Sequence, residues 1–203
     1  LRKKISVLNP LLVSIIFVIA VIKIFHIDYE TYNSGAKYIS YLLTPATVCL
    51  AIPLYRQISV LKEHAKEVFI GILAGVLASM GSILLMSYLF GLTHEQYVTL
   101  LPKSITTAIG MGVSEELGGI QTITVAVIII TGVLGNIIAE AVLKIFRIKE
   151  PVAKGLAIGT ASHAIGTTKA LEIGEIEGAM SSLSVAVAGL MTVISASIFA
   201  NMM

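Results

Sequence analysis

Four long apolar runs restrict this chain to folds that lie in a lipid bilayer. They cover residues 11–22, 68–90, 123–143 and 183–200, and most approach or exceed the roughly 20 residues that a helix needs to cross a membrane. Charged residues make up only 13% of the chain, whereas a soluble domain carries roughly 25%. The sequence therefore predicts an all-α, polytopic helical membrane protein.

The chain begins with a basic cluster at residues 1–4 and not with a methionine. We expect a further hydrophobic helix ahead of it. We treat residues 1–203 as a single transmembrane domain with approximate halves 1–90 and 91–203. The net charge of +2 is too small to indicate nucleic acid as a partner.

The distribution of basic residues predicts how the chain crosses the membrane, because Lys and Arg favour cytoplasmic loops. Residues 2–4, 56–67 and 144–154 are basic, and we place all three segments inside. The single helix predicted at 122–146 then reaches the cytoplasm only if residues 100–121 enter and leave on one side or make two half-crossings. We therefore predict a re-entrant or broken element at 100–121.

Two interrupted segments occur, one in each half of the chain. Residues 44–55 contain Pro45 and Pro53, and residues 159–171 contain two glycines. Interruptions at corresponding positions of two halves are typical of transporters with inverted repeats and a binding site near the bilayer midplane. We predict inverted repeats with broken helices.

The most polar of the predicted membrane segments is 159–169, with the sequence Gly-Thr-Ala-Ser-His-Ala-Ile-Gly-Thr-Thr-Lys. Unpaired polar groups are costly in hydrocarbon, so this segment is expected to line a cavity that holds water or a polar solute. The candidate binding residues are Ser162, His163, Gly166 and Thr167. His163 is also a candidate for proton coupling, because imidazole titrates near neutral pH. The alternative is a structural histidine that bonds to a backbone carbonyl.

A second polar segment follows Pro102, a residue that suits the start of a helix. Free backbone N–H groups there, together with hydroxyls and an ammonium, would favour an anion. The candidate binding residues are Lys103, Ser104, Thr106 and Thr107. In the alternative, Lys103 is an interfacial anchor and the hydroxyls bond to the preceding turn.

Three acidic residues are interpreted separately. Glu115 is either a second candidate for proton coupling or a solvated acid at the outer surface. Glu140 is expected to form an i,i+4 pair with Lys144 at the interface. Glu177 is expected in a solvent-exposed turn at 172–178.

Small and amide side chains indicate close helix packing. Asn136 is expected to make a hydrogen bond between helices, and a stripe of small residues along the third helix predicts close approach of a neighbour. The stripe contains Gly71, Gly75, Ala78, Ser79 and Ser82.

No enzyme site is predicted. Ser162 and His163 lack a third residue to orient the imidazole, and the four histidines show no metal-ligand spacing. We expect no catalysis, no metal and no cofactor.

Three blocks of sequence resemble the LrgB/CidB family. They are Pro-Lys-Ser-Ile-Thr-Thr at 102–107, Lys-Glu-Pro-Val-Ala-Lys-Gly at 149–155 and the polar segment from 159, which continues to match through residue 179. The resemblance covers essentially the whole chain. Ala108 stands where family members commonly carry proline.

This resemblance implies functions that the residues alone do not. Family members are described as antiholin-like and act with a small LrgA/CidA-type holin-like membrane protein in control of murein hydrolase activity and lysis. Others resemble carriers of small carboxylates, including the plastidial glycolate/glycerate translocators, with an inverted-repeat fold. Our first prediction is a secondary carrier of monocarboxylates such as pyruvate or glycolate, acting as a homodimer in the cell (inner or plasma) membrane. The alternative is an antiholin-like regulator that restrains the holin-like partner.

Overall fold

The computed structural model describes residues 10–42 and 51–203, together with Pro45 and Cys49. The basic cluster at 1–4 and much of the interrupted segment 44–55 lie outside the described residues. The chain divides into two compact units, Leu1–Leu50 and Ala51–Met203.

The first unit contains two described helices, α1 (Pro10–Ile24) and α2 (Tyr29–Ser40). Helix α1 takes up the apolar run predicted at 11–22. Helix α2 begins after Asp28, whose carboxylate accepts hydrogen bonds from the backbone N–H of Thr31 at 2.9 Å and from its hydroxyl at 2.6 Å. This side chain caps the otherwise unpaired N–H groups of the first turn.

The second unit is built from eight helices of very different length. They are α3 (Ala51–Arg56), α4 (Ile58–Glu63), α5 (Ala65–Phe90), α6 (His94–Leu100), α7 (Thr107–Glu116), α8 (Gln121–Ile145), α9 (Pro151–Ile173) and α10 (Glu175–Ala200). Three of them, α5, α8 and α10, are long and apolar enough to cross a membrane. The described residues contain no strand, and the prediction of an all-α helical membrane protein is confirmed.

Helix α9 is a hairpin of two arms, 151–162 and 164–173, that reverses at His163. The backbone of His163 has φ 42° and ψ −144°, which is not helical. A Cβ added at Gly166 would lie 3.2 Å from the carbonyl oxygen of Ile158, although residues eight apart on a straight helix are separated by about 12 Å. The second arm therefore folds back along the first, and the interruption predicted at 159–171 is a reversal of the chain.

Side-chain hydrogen bonds hold this reversal together. The Nε2 atom of His163 lies 3.0 Å from the carbonyl oxygen of Ile128, and Asn136 donates to the carbonyl oxygen of Ile165 at 2.9 Å. Both partners come from α8, so the interhelical hydrogen bond expected of Asn136 is confirmed. The hydroxyl of Thr167 donates to the carbonyl of His163 at 3.0 Å.

The predicted re-entrant element at 100–121 is a second, shorter hairpin made of α6, the turn 101–106 and α7. Its entry lies near the end of α10, where the hydroxyl of Tyr97 donates to the carbonyl of Phe199 at 2.9 Å. Its exit returns to the end of α6, because the backbone N–H of Ile120 donates to the hydroxyl of Thr99 at 2.8 Å. Neither α6 nor α7 has the roughly 20 residues of a spanning helix.

A long helix followed by a hairpin thus occurs twice, at 65–120 and at 121–174. The two copies run in opposite directions. Helix α5 runs parallel to the first arm of α9, since Gly71 approaches Leu156 and Gly75 approaches Thr160. Helix α8 runs parallel to the returning second arm, since Asn136 bonds to Ile165 and Glu140 pairs with Lys169. The approximate halves 1–90 and 91–203 stay a prediction. The single domain stays a prediction.

The first arm of α9 packs against α10 through glycines. A Cβ at Gly155 would lie 2.5 Å from the carbonyl oxygen of Glu177, and a Cβ at Gly159 would lie 2.5 Å from that of Ser181. These neighbours are backbone atoms, so a side chain here forces the two helices apart.

We expect Gly159→Ala to lower the free energy of unfolding by about 1–3 kcal/mol, because its methyl group overlaps the α10 backbone. Thermal unfolding of the purified protein in detergent measures this change. Gly81→Ala in α5 is the matched control, since a Cβ there meets nothing within 4 Å and alanine favours the helix. Equal melting temperatures for the two variants would contradict the packing described here.

Candidate functional site

An open groove of about 740 Å³ lies between α5 and the first arm of α9. Its mouth carries His64, Glu67 and Glu150, at the ends where both helices begin. The two helices approach closely at one point of its wall, where a Cβ at Gly75 would lie only 2.9 Å from the hydroxyl of Thr160. The volume is within the range of about 300–1,000 Å³ found for ligand clefts.

The inner end of the groove holds a lysine surrounded by hydroxyl groups. The Nζ atom of Lys103 lies 3.1 Å from the hydroxyl of Ser104 and 3.3 Å from that of Ser79, and the Ser79 hydroxyl donates to Ser104 at 2.9 Å. Within the described part of the chain, the ion pairs of the structure do not include Lys103. A cation beside hydroxyls that can donate is an arrangement suited to an anion.

The turn 101–106 brings this lysine to the groove. Helix α7 begins only at Thr107, with Thr106 as its N-cap. Lys103 and Ser104 therefore lie before the helix. The sequence predicts them in its first turn, because Pro102 suits a helix start. The turn forms the tip of the first hairpin and reaches the middle of α5 at Ser79.

The polar residues of the second hairpin are packed inside the protein. Ser162, His163 and Thr167 are at most 3% exposed, and none of them lines the groove. The hydroxyl of Thr167 is 2.9 Å from that of Ser181 on α10. His163 has the geometry of the alternative interpretation, a buried histidine bonded to a carbonyl, and its role in proton coupling stays a prediction.

The remaining candidates also lie outside the groove lining. Gly166 is buried and faces the other arm of its own hairpin near Ile158. Thr106 and Thr107 are half-buried at the start of α7, and Glu115 is exposed near its end. The structure thus brings together Lys103 and Ser104, and it separates them from the candidates of 162–167.

Sequence patterns did not identify two residues of the site. Ser79 was assigned to packing because it belongs to the small stripe of α5, and Thr160 received no separate role. All five residues of the stripe line the groove, and Gly75 also packs closely against the first arm of α9. The spacing of the stripe does not predict that the ammonium of Lys103, more than 20 residues later in the chain, lies beside Ser79.

The structure corrects two electrostatic predictions. Glu140 pairs with Lys169 of the second arm of α9, since the hairpin brings that arm alongside α8; the predicted partner was Lys144. Glu177 is only 7% exposed and pairs with Lys154 at 3.5 Å. It is buried where α9 and α10 approach, and the predicted exposed turn is wrong for this residue.

Comparison with known proteins agrees on one family. Antiholin-like LrgB proteins from Bacillus mycoides, Bacillus cereus and Bacillus anthracis are each 39% identical to this chain over 186 residues. The match covers 92% of this chain and 81% of each relative. No solved structure matches the chain significantly.

The profile of the LrgB-like family matches residues 1–202. This match includes both hairpins and the whole of the groove between α5 and α9. The chain belongs to the LrgB-like family.

Proposed function

We propose that this protein is an antiholin-like regulator that acts on a small holin-like protein of the LrgA/CidA type in the cell membrane. The observation that carries this proposal is the 39% identity to proteins named antiholin-like LrgB over 92% of the chain. Such a regulator acts by contact between membrane helices and would control murein hydrolase activity and lysis. It requires no catalysis, metal or cofactor. A homodimer stays a prediction.

The outer faces of the long helices offer surfaces for such contact. On α10, Leu190, Ile194 and Ile198 follow one another every four residues and are 63%, 65% and 61% exposed. This spacing places them on one face of the helix. Lipid or the helix of a small membrane partner can cover this face.

We expect co-expression of this protein with an LrgA/CidA-type holin-like protein to delay lysis of a bacterial host. Culture density and murein hydrolase activity after induction measure the effect. The control is a culture that expresses the holin-like protein with an empty vector in place of this chain. Lysis at the same time in both cultures would contradict the regulatory role.

We propose, as a second function, the carriage of a small monocarboxylate such as pyruvate or glycolate. The specific observation in its favour is the groove that ends at Lys103, Ser79 and Ser104. A carboxylate at this point would accept hydrogen bonds from the ammonium and the hydroxyls. Hydrogen bonds in which a partner is ionised are stronger than those between neutral groups. The roles of His163 and Glu115 in proton coupling stay predictions. Neither residue lines the groove.

We expect proteoliposomes that contain the protein to take up labelled pyruvate or glycolate faster than empty vesicles. Lys103→Met is expected to reduce this uptake roughly tenfold or more, because it removes charge-assisted hydrogen bonds to the anion. Lys62→Met is the control, since Lys62 is exposed in the segment before α5. Uptake by the wild type that equals the empty vesicles would overturn the carrier proposal.

The same variants separate the two functions. A regulator that works through outer helix faces keeps its effect on lysis in the Lys103→Met variant. A protein that controls lysis through the transported anion loses both activities together.

A further inference from the structure

A second open cavity, of about 510 Å³, lies where α8 ends and where both arms of α9 meet its end. Four basic side chains line it: Lys144, Arg147, Lys149 and Lys154. Aliphatic side chains of Leu143, Ile148 and Ile173 form the rest of its wall. We refer to this cavity as the basic groove; it is separate from the groove that ends at Lys103.

The positive charge of the basic groove is mostly unneutralised. Its one acidic lining residue, Glu140, pairs with Lys169 of the second arm of α9. Lys154 shares its charge with Glu177 at 3.5 Å. Lys144, Arg147 and Lys149 are exposed, and among the described residues the ion pairs of the structure include none of these three.

The turn after α8 holds an arginine in a position that suits glycine. Arg147 has φ 55°, and the backbone N–H of Ile148 donates to the carbonyl of Leu143 at 2.9 Å while that of Arg147 donates to Lys144 at 3.2 Å. This pair of bonds is the Schellman ending of a helix, in which glycine commonly takes the left-handed position. Arginine in this left-handed position carries a conformational cost relative to a right-handed conformation.

The basic groove lies at the level where a membrane helix leaves the lipid. At the end of α8, Ile145 and the following Phe146 are 73% and 72% exposed, and basic residues flank them directly, Lys144 before and Arg147 after. Apolar and aromatic side chains at such a boundary contact acyl chains, while basic residues beside them face the headgroups. The prediction that 144–154 is cytoplasmic puts the basic groove at the leaflet where anionic lipids attract basic segments.

We propose that the basic groove binds the phosphate headgroup of an anionic phospholipid. The ammonium of Lys144, the guanidinium of Arg147 and the ammonium of Lys149 hold the phosphate oxygens. The acyl chains lie against Ile145 and Phe146 and the outer face of α8. A free phosphate would use the same cations, but the aliphatic wall and the adjoining apolar surface favour a ligand with hydrocarbon chains.

Native mass spectrometry of the protein in detergent tests this proposal. The protein is mixed with equal amounts of phosphatidylglycerol and phosphatidylcholine of identical acyl chains, and the ratio of the two bound lipids is measured. We expect the wild type to prefer phosphatidylglycerol. The double substitution Arg147→Gly and Lys149→Gln is expected to reduce that preference roughly tenfold, by removing two cations at the headgroup.

The variants separate the basic groove from general charge and from misfolding. Lys62→Gln with Lys66→Gln removes the same charge from another exposed basic segment and is expected to leave the preference unchanged. Arg147→Gly relieves a left-handed arginine, so this single variant is expected to melt at the same or a higher temperature than the wild type.

Three results would overturn the proposal. They are a wild type without preference for phosphatidylglycerol, an equal loss in both double variants, and displacement of the bound lipid by millimolar glycerol 3-phosphate. The last result assigns the basic groove to a free phosphate ester.

Discussion

The reversal of α9 at His163 is the constraint on which the rest of the second unit depends. A turn of backbone within the apolar thickness has no water to pair its polar groups, so other parts of the protein must do so. The amide of Asn136 on α8 donates to the carbonyl of Ile165, and the hydroxyl of Thr167 donates to the carbonyl of His163. The carbonyl of Ile128 on α8 pairs with the imidazole of His163. Without these partners, a hairpin of half-length arms would be unstable in lipid.

The reversal also decides where space remains between the helices. Because the first arm of α9 ends after 12 residues, it runs beside only part of α5. The opposite hairpin, with its tip at 101–106, fills the position beyond it and brings Lys103 against Ser79. The two hairpins meet at Ile128, which contacts His163 and would contact a side chain at Gly110. The groove is thus a result of two short elements that approach from opposite ends.

Much of this architecture follows from the sequence. Hydropathy locates α5, α8 and α10, and the basic loops require an element at 100–121 that enters and returns on one side. The glycines and polar residues of 159–169 locate a break, but they do not show that the chain reverses there. The positive φ of His163 at the tip depends on tertiary contacts with α8. The local sequence pattern carries no information about those contacts.

The candidate site was predicted only in part, for a related physical reason. Polarity within an apolar segment shows that a group needs a partner, and either a solute or another protein group satisfies that need. Lys103 and Ser104 lie in a groove, whereas the side chains of His163 and Thr167 bond to carbonyl and hydroxyl groups within the protein. Ser79 could be found only from the contact between two elements that lie 24 residues apart.

The depth of the open groove between α5 and α9 has an electrical consequence. From Glu67 at its mouth to Ser79 at its inner end, the path along α5 covers about 18 Å at roughly 1.5 Å for each residue. The hydrocarbon layer is only about 30 Å thick, so water entering from the mouth would leave only a thin insulating layer beyond the hairpin tip. Under the carrier proposal, a transmembrane voltage would fall chiefly across that layer, and a charged solute would reach Lys103 from the mouth with little electrical work.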